Sequence, residues 1–210
     1  MNIQGKFDDM PDIKVYNMHF KYLYILGLVF YLSGCGINNI PVYDEEVTAS
    51  WSQVLNQYKR RTDLVPNLVD TVKAYAEHEN SVFIEVTKAR SRVLGMQLPE
   101  DITSDKVALS DFQNSQKQLG NALSKLLLVV EQYPDLKSNR NYIALQSQLE
   151  GTENRIAIAR RDYIKAVQQY NTELRTYPGK IWKSVLYSEA RLRENFTTSD
   201  TVENVPVINL

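Results

Sequence analysis

The stretch NRNYIALQSQLEGTENRIAIARRDYIKAVQQYNTELRTYP, residues 139–178, decides the fold predicted for this chain. Its mainly apolar positions recur at alternating intervals of three and four, which places them on one face of a long helix. They are Tyr142, Leu145, Leu149, Thr152, Ile156, Ala159, Tyr163, Ala166, Tyr170, Leu174 and Tyr177. Pro178 and Gly179 end the pattern. A long helix with one apolar face needs partner helices, so the stretch predicts an all-α bundle.

An upstream segment that begins near Asp44 carries the same periodicity and predicts a first helix. Its core-facing positions are Val47, Trp51, Val54, Tyr58, Arg61, Val65, Leu68, Val72, Tyr75, Glu79, Val82, Val86, Ala89 and Val93. Pro66 lies inside it and predicts a kink, because proline has no amide to donate to the carbonyl of Thr62. Asn80 and Ser81 could end one helix and cap another. Because the periodicity stays in phase, one bent helix and two collinear helices both fit.

A further long helix is predicted between a cap at Thr103 or Ser104 and the breaker Pro134, with Gly95 capping the helix before it. The tight connection 135–138 predicts that the stretch 139–178 returns antiparallel to it. A shorter last helix is expected from about Lys180 to Arg193. The predicted fold is therefore an antiparallel up-and-down bundle of three long helices and a short fourth over residues 44–195, followed by an extended tail, 196–210.

The segment 18–35, MHFKYLYILGLVFYLSGC, indicates export to a membrane. Its apolar run, 22–32, is shorter than the roughly 20 residues of an ordinary membrane span and resembles the core of a signal peptide. Residues 32–35, LSGC, resemble a bacterial lipobox. We expect residues 18–34 to be a lipoprotein signal peptide, Cys35 to carry the lipid, and residues 35–43 to form a tether. The alternative is a short apolar anchor that is not cleaved.

Residues 1–17 hold three acidic residues and no apolar run, so they do not fit the start of a signal peptide. We expect them to be a gene-start extension and Met18 to be the true start. Gly36, rather than aspartate, follows the predicted lipidated cysteine. In a Gram-negative source, that pattern resembles lipoproteins sent to the outer membrane.

Composition gives little support for other classes of function. The 24 basic and 25 acidic residues leave a net charge of −1, without the clustered basic surface that nucleic-acid binding usually needs. One cysteine and two histidines offer little for a disulfide or a metal site. No metalloprotease, nucleophile-elbow, P-loop or dinucleotide motif is present. The sequence therefore predicts a protein that is not an enzyme and that has no cofactor or metal.

Two groups of residues carry a resemblance to a known family. The string YPDLKSNRNYIALQSQLEGTENRIAIARRDY, residues 133–163, resembles the LemA family, as do WSQV at 51–54, RR at 60–61 and DLVPNLV at 63–69. The resemblance extends from about Tyr43 to the C-terminus. It implies an all-helical antiparallel bundle that is held to a membrane at its N-terminus, and it implies no particular activity.

Five charged or polar residues of these motifs are the candidate site residues. Arg61 lies on the core-facing stripe of the first helix, and Glu153, Asn154, Arg155 and Arg160 cluster on the helix 139–178. They could form a polar groove that binds a ligand or a partner. They could instead form an interior polar layer that aligns the helices, since buried charges persist only when they are paired. Of these two arrangements, we expect the interior polar layer that aligns the helices.

The predicted function is that of a membrane-anchored envelope lipoprotein, outside the cytoplasm, whose helical bundle binds an unknown envelope protein or peptide. The alternative is a structural, coiled-coil-like envelope protein that associates with itself. Leu55, Leu64 and Val69 lie off the main stripe of the first helix and give that alternative mild support. An enzyme of unrecognised type is the third class, without a candidate site.

Overall fold

The computed structural model describes residues 36–196. Within that range the chain forms six α-helices and a short 3-10 turn at Ile102–Ser104, with no β-strand. The helices are α1 (Asn39–Lys73), α2 (Asn80–Leu94), α3 (Lys106–Val130), α4 (Pro134–Lys137), α5 (Arg140–Arg175) and α6 (Gly179–Val185). The all-helical prediction is confirmed. The predictions for residues 1–34, Cys35 and residues 197–210 lie outside the described residues.

The two longest helices, α1 and α5, lie antiparallel along their whole length. Near the start of α1, the Asn39 amide donates to the Glu173 carboxylate over 3.3 Å. Just beyond its end, the Asn139 amide donates to the hydroxyl of Tyr75 over 2.8 Å. Because each end of α1 meets the opposite end of α5, the two helices form the central pair of the bundle.

The second helix, α2, folds back on α1 instead of continuing it. The Nε of Arg90 donates to the carbonyl oxygen of Thr62 over 3.2 Å. In a straight helix these residues would lie about 42 Å apart, at 1.5 Å per residue. Lys125 contacts Glu85 at 2.7 Å and Arg92 donates to Gln118, so α2 runs antiparallel to α3. Four main helices therefore alternate in direction, and the prediction of three long helices was wrong.

The reversal between α1 and α2 occurs in residues 74–79. The amides of Tyr75 and Ala76 both donate to the carbonyl oxygen of Val72 over 3.0 Å, and the small side chain of Ala76 is fully buried inside the bend. The apolar period continues in phase through the bend because both arms face the same core. The spacing of apolar residues does not show the direction of a helix. Because α2 folds back on α1, the predictions of one bent helix and of two collinear helices were both wrong.

Two clusters of buried side chains fill the bundle, one toward each end. The cluster where α1 begins is rich in aromatic rings around Trp51, whose centroid lies 5.3 Å from that of Phe112 and 5.4 Å from that of Tyr163. The cluster near the α1–α2 turn is mainly aliphatic and includes Leu126 and Leu136. Large aromatic rings fill the core at one end of the bundle, and mainly aliphatic side chains fill it at the other.

Pro66 leaves a carbonyl without its usual partner, and α2 supplies a substitute. The helix α1 continues through Pro66, which has no amide to donate to Thr62 one turn earlier. Thr62 is buried, so an unpaired carbonyl there would be costly. The Nε of Arg90 fills that position. The α1 carbonyl that lacks its helical hydrogen bond thus accepts a hydrogen bond from α2.

Several helix ends differ from the predictions. Asp105, rather than Thr103 or Ser104, caps α3, because its carboxylate accepts from the amides of residues 107 and 108. Pro134 begins the short helix α4 rather than only ending α3, since proline is well suited to the first helical position. The predicted C-cap at Gly95 is confirmed, and the side chain of Asn139 caps α5.

The predicted tether, 35–43, is wrong for residues 39–43, which belong to α1. Ile40 is buried in the aromatic cluster, and this burial outweighs the low helix propensity of the neighbouring Asn39. Pro41 is tolerated because the first turn of a helix has no carbonyl partners for its amides.

The last helix is also shorter than the predicted range, about Lys180 to Arg193. α6 ends at Val185, and residues 186–196 run back over the bundle without helical structure. Gly179 opens α6 so close to the carbonyl of Glu173 that a Cβ atom would collide with it. None of the helices between residues 36 and 196 is long and apolar enough to span a bilayer.

We predict that Arg90→Gln lowers the free energy of unfolding by about 1–3 kcal/mol, because the buried carbonyl of Thr62 loses its side-chain donor. Urea unfolding, read as a shift of the midpoint at constant slope, measures this loss. In a Pro66→Ala background the cost should shrink, since residue 66 then has an amide to donate to the same carbonyl. Arg92→Gln, on the exposed side of α2, is the control. Equal losses for the two arginines would contradict the assignment.

Candidate functional site

Arg61 is a cation in the interior of the bundle. It follows Tyr58 by three residues and precedes Val65 by four, so α1 directs all three side chains toward the core. Its side chain is 6% exposed. A charge so deeply buried must be neutralised or hydrogen-bonded by neighbouring helices, because its transfer from water is costly.

Two helices supply those partners. The Nη2 of Arg61 donates to both oxygens of Gln116 on α3, over 2.9 Å to the backbone carbonyl and 2.6 Å to the side-chain amide. The Nη1 donates over 3.1 Å to the carboxylate of Glu153 on α5, whose side chain is 46% exposed. We name Arg61, Gln116 and Glu153 the Arg61 layer. The layer joins α1, α3 and α5 at one level of the bundle.

The layer includes one unsatisfied donor and one aromatic neighbour. The guanidinium carbon of Arg61 lies 5.0 Å from the ring centroid of Tyr58, a cation–π distance. Its Nε has no hydrogen-bond partner among residues 36–196. Burial raises the pKa of the Tyr58 hydroxyl, and the nearby guanidinium groups of Arg160 and Arg61 oppose that rise.

The five predicted site residues separate into different environments. Arg61 and Glu153 are in contact, as an interior polar layer requires. Arg155 lies at the surface, where its Nε donates to Gln57 on α1 over 3.3 Å. Asn154 is exposed on the outer side of α5. The residues are adjacent in sequence, but a helix turns each one by about 100°, so they do not converge on one point.

Arg160 belongs to the aromatic cluster instead. Its guanidinium carbon lies 4.6 Å from the ring centroid of Phe196, which packs between Trp51 and Tyr163. Gln116 is not among the residues predicted for the site, although it occupies a core-facing position of α3. A polar residue at such a position is the signal that could have identified it.

A second polar cluster forms around Arg193, which the sequence analysis did not single out. Its Nη2 donates to Asp44 over 2.7 Å, and its Nη1 donates to Ser104 over 2.7 Å, to Thr103 over 3.2 Å and to Asp101. We name this cluster the Arg193 clamp. It fastens residues 186–196 to the second turn of α1 and to the loop before α3. No local pattern shows it, because its partners lie 89 to 149 residues away.

The backbone of the clamped segment is also held by side chains of α5. The amide of Asn171 exchanges hydrogen bonds with both the carbonyl and the N–H of Arg193, at 2.8 and 2.9 Å. The hydroxyl of Tyr163 donates to the carbonyl of Glu194 over 2.8 Å. Burial raises the pKa of that hydroxyl well above its ordinary value. Residues 193–196 therefore lie in a fixed path over the bundle.

Two concave surfaces lie near these clusters. A cleft of about 600 Å³ borders the Arg193 clamp and is lined by Ile40, Asp44, Tyr170, Tyr187 and Ala190, among others. A groove of about 400 Å³, which we name the α1–α5 groove, runs along the outside of the central pair. Its lining consists of Glu46, Ala49, Ser50, Gln53, Gln57, Arg155, Ile158, Ala159 and Asp162.

The described residues contain no group of three or more His, Cys, Asp or Glu side chains placed to hold a metal ion. His78 is exposed in the α1–α2 turn. The buried Arg61 and the largely buried Arg193 bind carboxylates and polar groups of other elements, so their chemistry is that of helix alignment and segment attachment. These features define an antiparallel helical bundle with an interior polar layer and a clamped C-terminal segment.

Comparison with known proteins assigns the family. The model of the LemA family matches residues 50–210, and the chain belongs to that family. Magnetosome proteins MamQ 1 and MamQ 2 of Paramagnetospirillum magneticum are each 27% identical to it over 187 residues, which cover 81% of this chain and 68% of each relative. Protein LemA of Metamycoplasma hominis is 24% identical over 163 residues, which cover 75% and 70%. The resemblance drawn from the sequence is confirmed.

We predict that Arg61→Met lowers the free energy of unfolding by about 3 kcal/mol, because it leaves the buried side-chain oxygen of Gln116 without its donor. Glu153→Gln should lower the free energy of unfolding by about 1 kcal/mol or less, since that carboxylate is half-exposed. In double-mutant cycles measured by urea unfolding, Arg61→Met should couple more strongly to Gln116→Leu than to Glu153→Gln. The reverse order would mean that the exposed ion pair, rather than the buried amide, stabilises the layer.

We also predict that stability falls above a pH of about 10. An unfolded tyrosine ionises near pH 10, whereas burial raises the pKa of Tyr163 in the folded state. The folded state therefore retains the proton more tightly, and this contribution to stability is complete below pH 10 and is lost as the pH rises. The slope is at most about 1.4 kcal/mol per pH unit for one tyrosine.

Tyr163→Phe tests this origin of the slope. The free energy of unfolding of the variant should be lower by about 1 kcal/mol at neutral pH, because the hydrogen bond to residue 194 is missing. Its stability should then fall less steeply than that of the unsubstituted protein between pH 10 and 11, as measured by urea unfolding at a series of pH values. Parallel curves for the two proteins would assign the alkaline loss to other groups.

Proposed function

We propose that this LemA-family protein is a membrane-anchored envelope lipoprotein whose bundle is a non-catalytic interaction module for another envelope protein or peptide. Family membership and the lipobox-like residues 32–35 support the proposal that the protein is anchored to a membrane. The names of two relatives assign them to the magnetosome, which is compatible with work at a membrane. The α1–α5 groove is the observation that carries the interaction role.

The α1–α5 groove has the features of a surface for a partner helix or an extended segment. Its lining includes the small residues Ala49, Ser50 and Ala159, which let another backbone approach closely. Ile158 presents an apolar side chain that is 42% exposed. Arg155, from the family string, lies in the lining. An apolar centre with a polar rim is the usual anatomy of a protein interface.

Acidic and basic groups on the rim of the α1–α5 groove limit the kinds of partner that would fit it. Glu46 and Asp162 contribute carboxylates to the lining, and Arg155 contributes a guanidinium group. A partner segment with small apolar side chains and both signs of charge would match this rim. Neither a nucleic acid nor a strongly charged peptide of one sign would find a complementary surface there.

The position of Cys35 in the sequence supports the proposed anchor. It directly precedes Gly36, the first described residue, and α1 begins three residues later. A lipid on Cys35 would hold the bundle directly against the bilayer, outside the cytoplasm, on the outer membrane if the source is Gram-negative. Two or three acyl chains on the cysteine would hold firmly, whereas one binds only marginally.

The groove hypothesis predicts that Ile158→Asp abolishes crosslinking to the partner in the native envelope, because a carboxylate would be buried at the apolar centre. Ile143→Asp is the matched control, an exposed isoleucine on the same helix outside the groove. Crosslinking and mass determination should show one partner at fixed stoichiometry with the unsubstituted and control proteins. Crosslinks to copies of this chain alone would support the self-associating alternative, and equal crosslinking by Ile158→Asp would exclude the groove.

The anchor hypothesis predicts that Cys35→Ala prevents incorporation of radioactive palmitate and leaves the precursor uncleaved, because the modified thiol is required for both. Intact mass and membrane fractionation check the result. Cys35→Ser offers a second test, since a hydroxyl cannot form the thioether. A substituted protein that keeps the mature mass and the same membrane fraction as the parent would contradict lipid attachment at this residue.

A further inference from the structure

The helix α6 is apolar on two sides, and only one side is covered. Toward the bundle, Trp182 packs against the aromatic cluster. Away from it, Ile181 and Val185 lie one turn apart on the same side and are 46% and 67% exposed. Leu186 and Tyr177, at either end of the helix, are exposed as well. We name Tyr177, Ile181, Val185 and Leu186 the α6 face.

Exposed apolar side chains are common singly, but these four lie within ten residues, two of them on α6 and one beyond each of its ends. Contiguous exposed apolar surface marks a place where another molecule or a membrane is bound. No part of the chain between residues 36 and 196 covers the α6 face.

The start of the described chain lies against α6. A Cβ atom on Gly36 would be 3.5 Å from Cγ of Pro178, the residue before α6. The hydrogen bond between Asn39 and Glu173 fixes the next turn of α1 to the end of α5. One residue spans at most about 3.6 Å, so Cys35 lies within one residue length of Gly36. The proposed lipid attachment site is therefore beside the α6 face.

The polar groups around the α6 face suit a lipid headgroup layer. Lys180 is exposed, with its Nζ 5.9 Å from the ring centroid of Tyr177, and Arg175 is exposed on the preceding turn. Tyrosine and tryptophan favour the membrane–water boundary, and cations near it attract anionic lipids. Two carboxylates at this end of the bundle are hydrogen-bonded, Glu173 to Asn39 and Asp44 to Arg193. Glu189 is the exposed acidic residue on this segment.

We propose that the α6 face contacts the lipid surface and seats the bundle on the membrane in one orientation. This inference rests on the proposed anchor at Cys35, which brings the bundle to the bilayer. The anchor supplies proximity, and the α6 face determines which side of the bundle is turned toward the lipid. The α1–α5 groove then runs away from the membrane along the long axis of the central pair.

The test uses the full chain as it is processed in its native membrane, purified and reconstituted into vesicles of phosphatidylcholine and phosphatidylglycerol. Ile181→Cys and Val185→Cys are each labelled with a fluorophore, and lipids that carry a nitroxide just below the headgroup serve as the quencher. Ile143→Cys and Leu128→Cys are matched controls, since both residues are exposed and lie at the opposite end of the bundle. We expect several-fold stronger quenching at 181 and 185 than at 128 and 143.

Each outcome separates this inference from the anchor proposal. Equal quenching at all four positions, in protein that floats with the vesicles, overturns the lipid contact and leaves the anchor intact. Quenching at 181 and 185 that changes with protein density in the membrane would mean that a second copy covers the face, which also overturns it. If the unsubstituted chain does not float with the vesicles, the anchor proposal fails, and the lipid contact fails with it.

Labelling of the unsubstituted chain gives the independent check on the anchor. Cys35 is the only cysteine of the sequence, and a thiol that carries lipid cannot react with the fluorophore. Reaction of the unsubstituted chain would show a free thiol and overturn the lipid attachment. With that background absent, the ratio of quenching at residues 181 and 185 to that at the controls reports the α6 face alone.

Discussion

The guanidinium group of Arg61 is the point at which three helices of the bundle are joined by hydrogen bonds. It lies on α1, reaches both oxygens of Gln116 on α3 and meets the carboxylate of Glu153 on α5. A planar group with five donors needs acceptors in fixed directions, and a shift of one helix along another would separate them. Apolar side chains tolerate such a shift more readily, because dispersion and burial have little directionality. The layer therefore sets the alignment of the helices, while the two apolar clusters supply most of the stability.

The two ends of the bundle are built differently, and the difference has a consequence for function. The end near the α1–α2 turn is closed by aliphatic packing and by backbone hydrogen bonds around Ala76. The opposite end gathers the start of α1, the short helix α6 and the segment held by Arg193, and it carries exposed apolar groups. The Arg193 clamp fastens residues 186–196 to this second end. The end beside the proposed lipid attachment site is therefore also the end that carries the exposed apolar groups of the α6 face.

Most of the helical content could be predicted from the sequence, since an apolar period of 3.6 residues is a local property. The interval of the α5 pattern, the cap at Gly95 and the core-facing position of Arg61 all followed from it. The direction of α2 did not follow, because a helix that continues and a helix that folds back have the same period. The length of α6 did not follow either, because Asn171 and Tyr163 hold residues 193–194 in a non-helical path. The same limit applied to the candidate site, where Arg61 and Glu153 were identified but Gln116 and Arg193 were not.

The sequence by itself determined that this chain is all-helical, that its helices carry one core-facing stripe each, and that it is a member of the LemA family. These properties depend on residue spacing and on strings of residues, both of which are visible along the chain. The tertiary structure decided which helices are neighbours, how the carbonyl freed by Pro66 is satisfied by Arg90, and where the last segment lies. Each of these depends on hydrogen bonds between residues tens of positions apart. Such contacts exist only after the helices have packed, since hydrogen bonding requires distance and direction that no single segment contains.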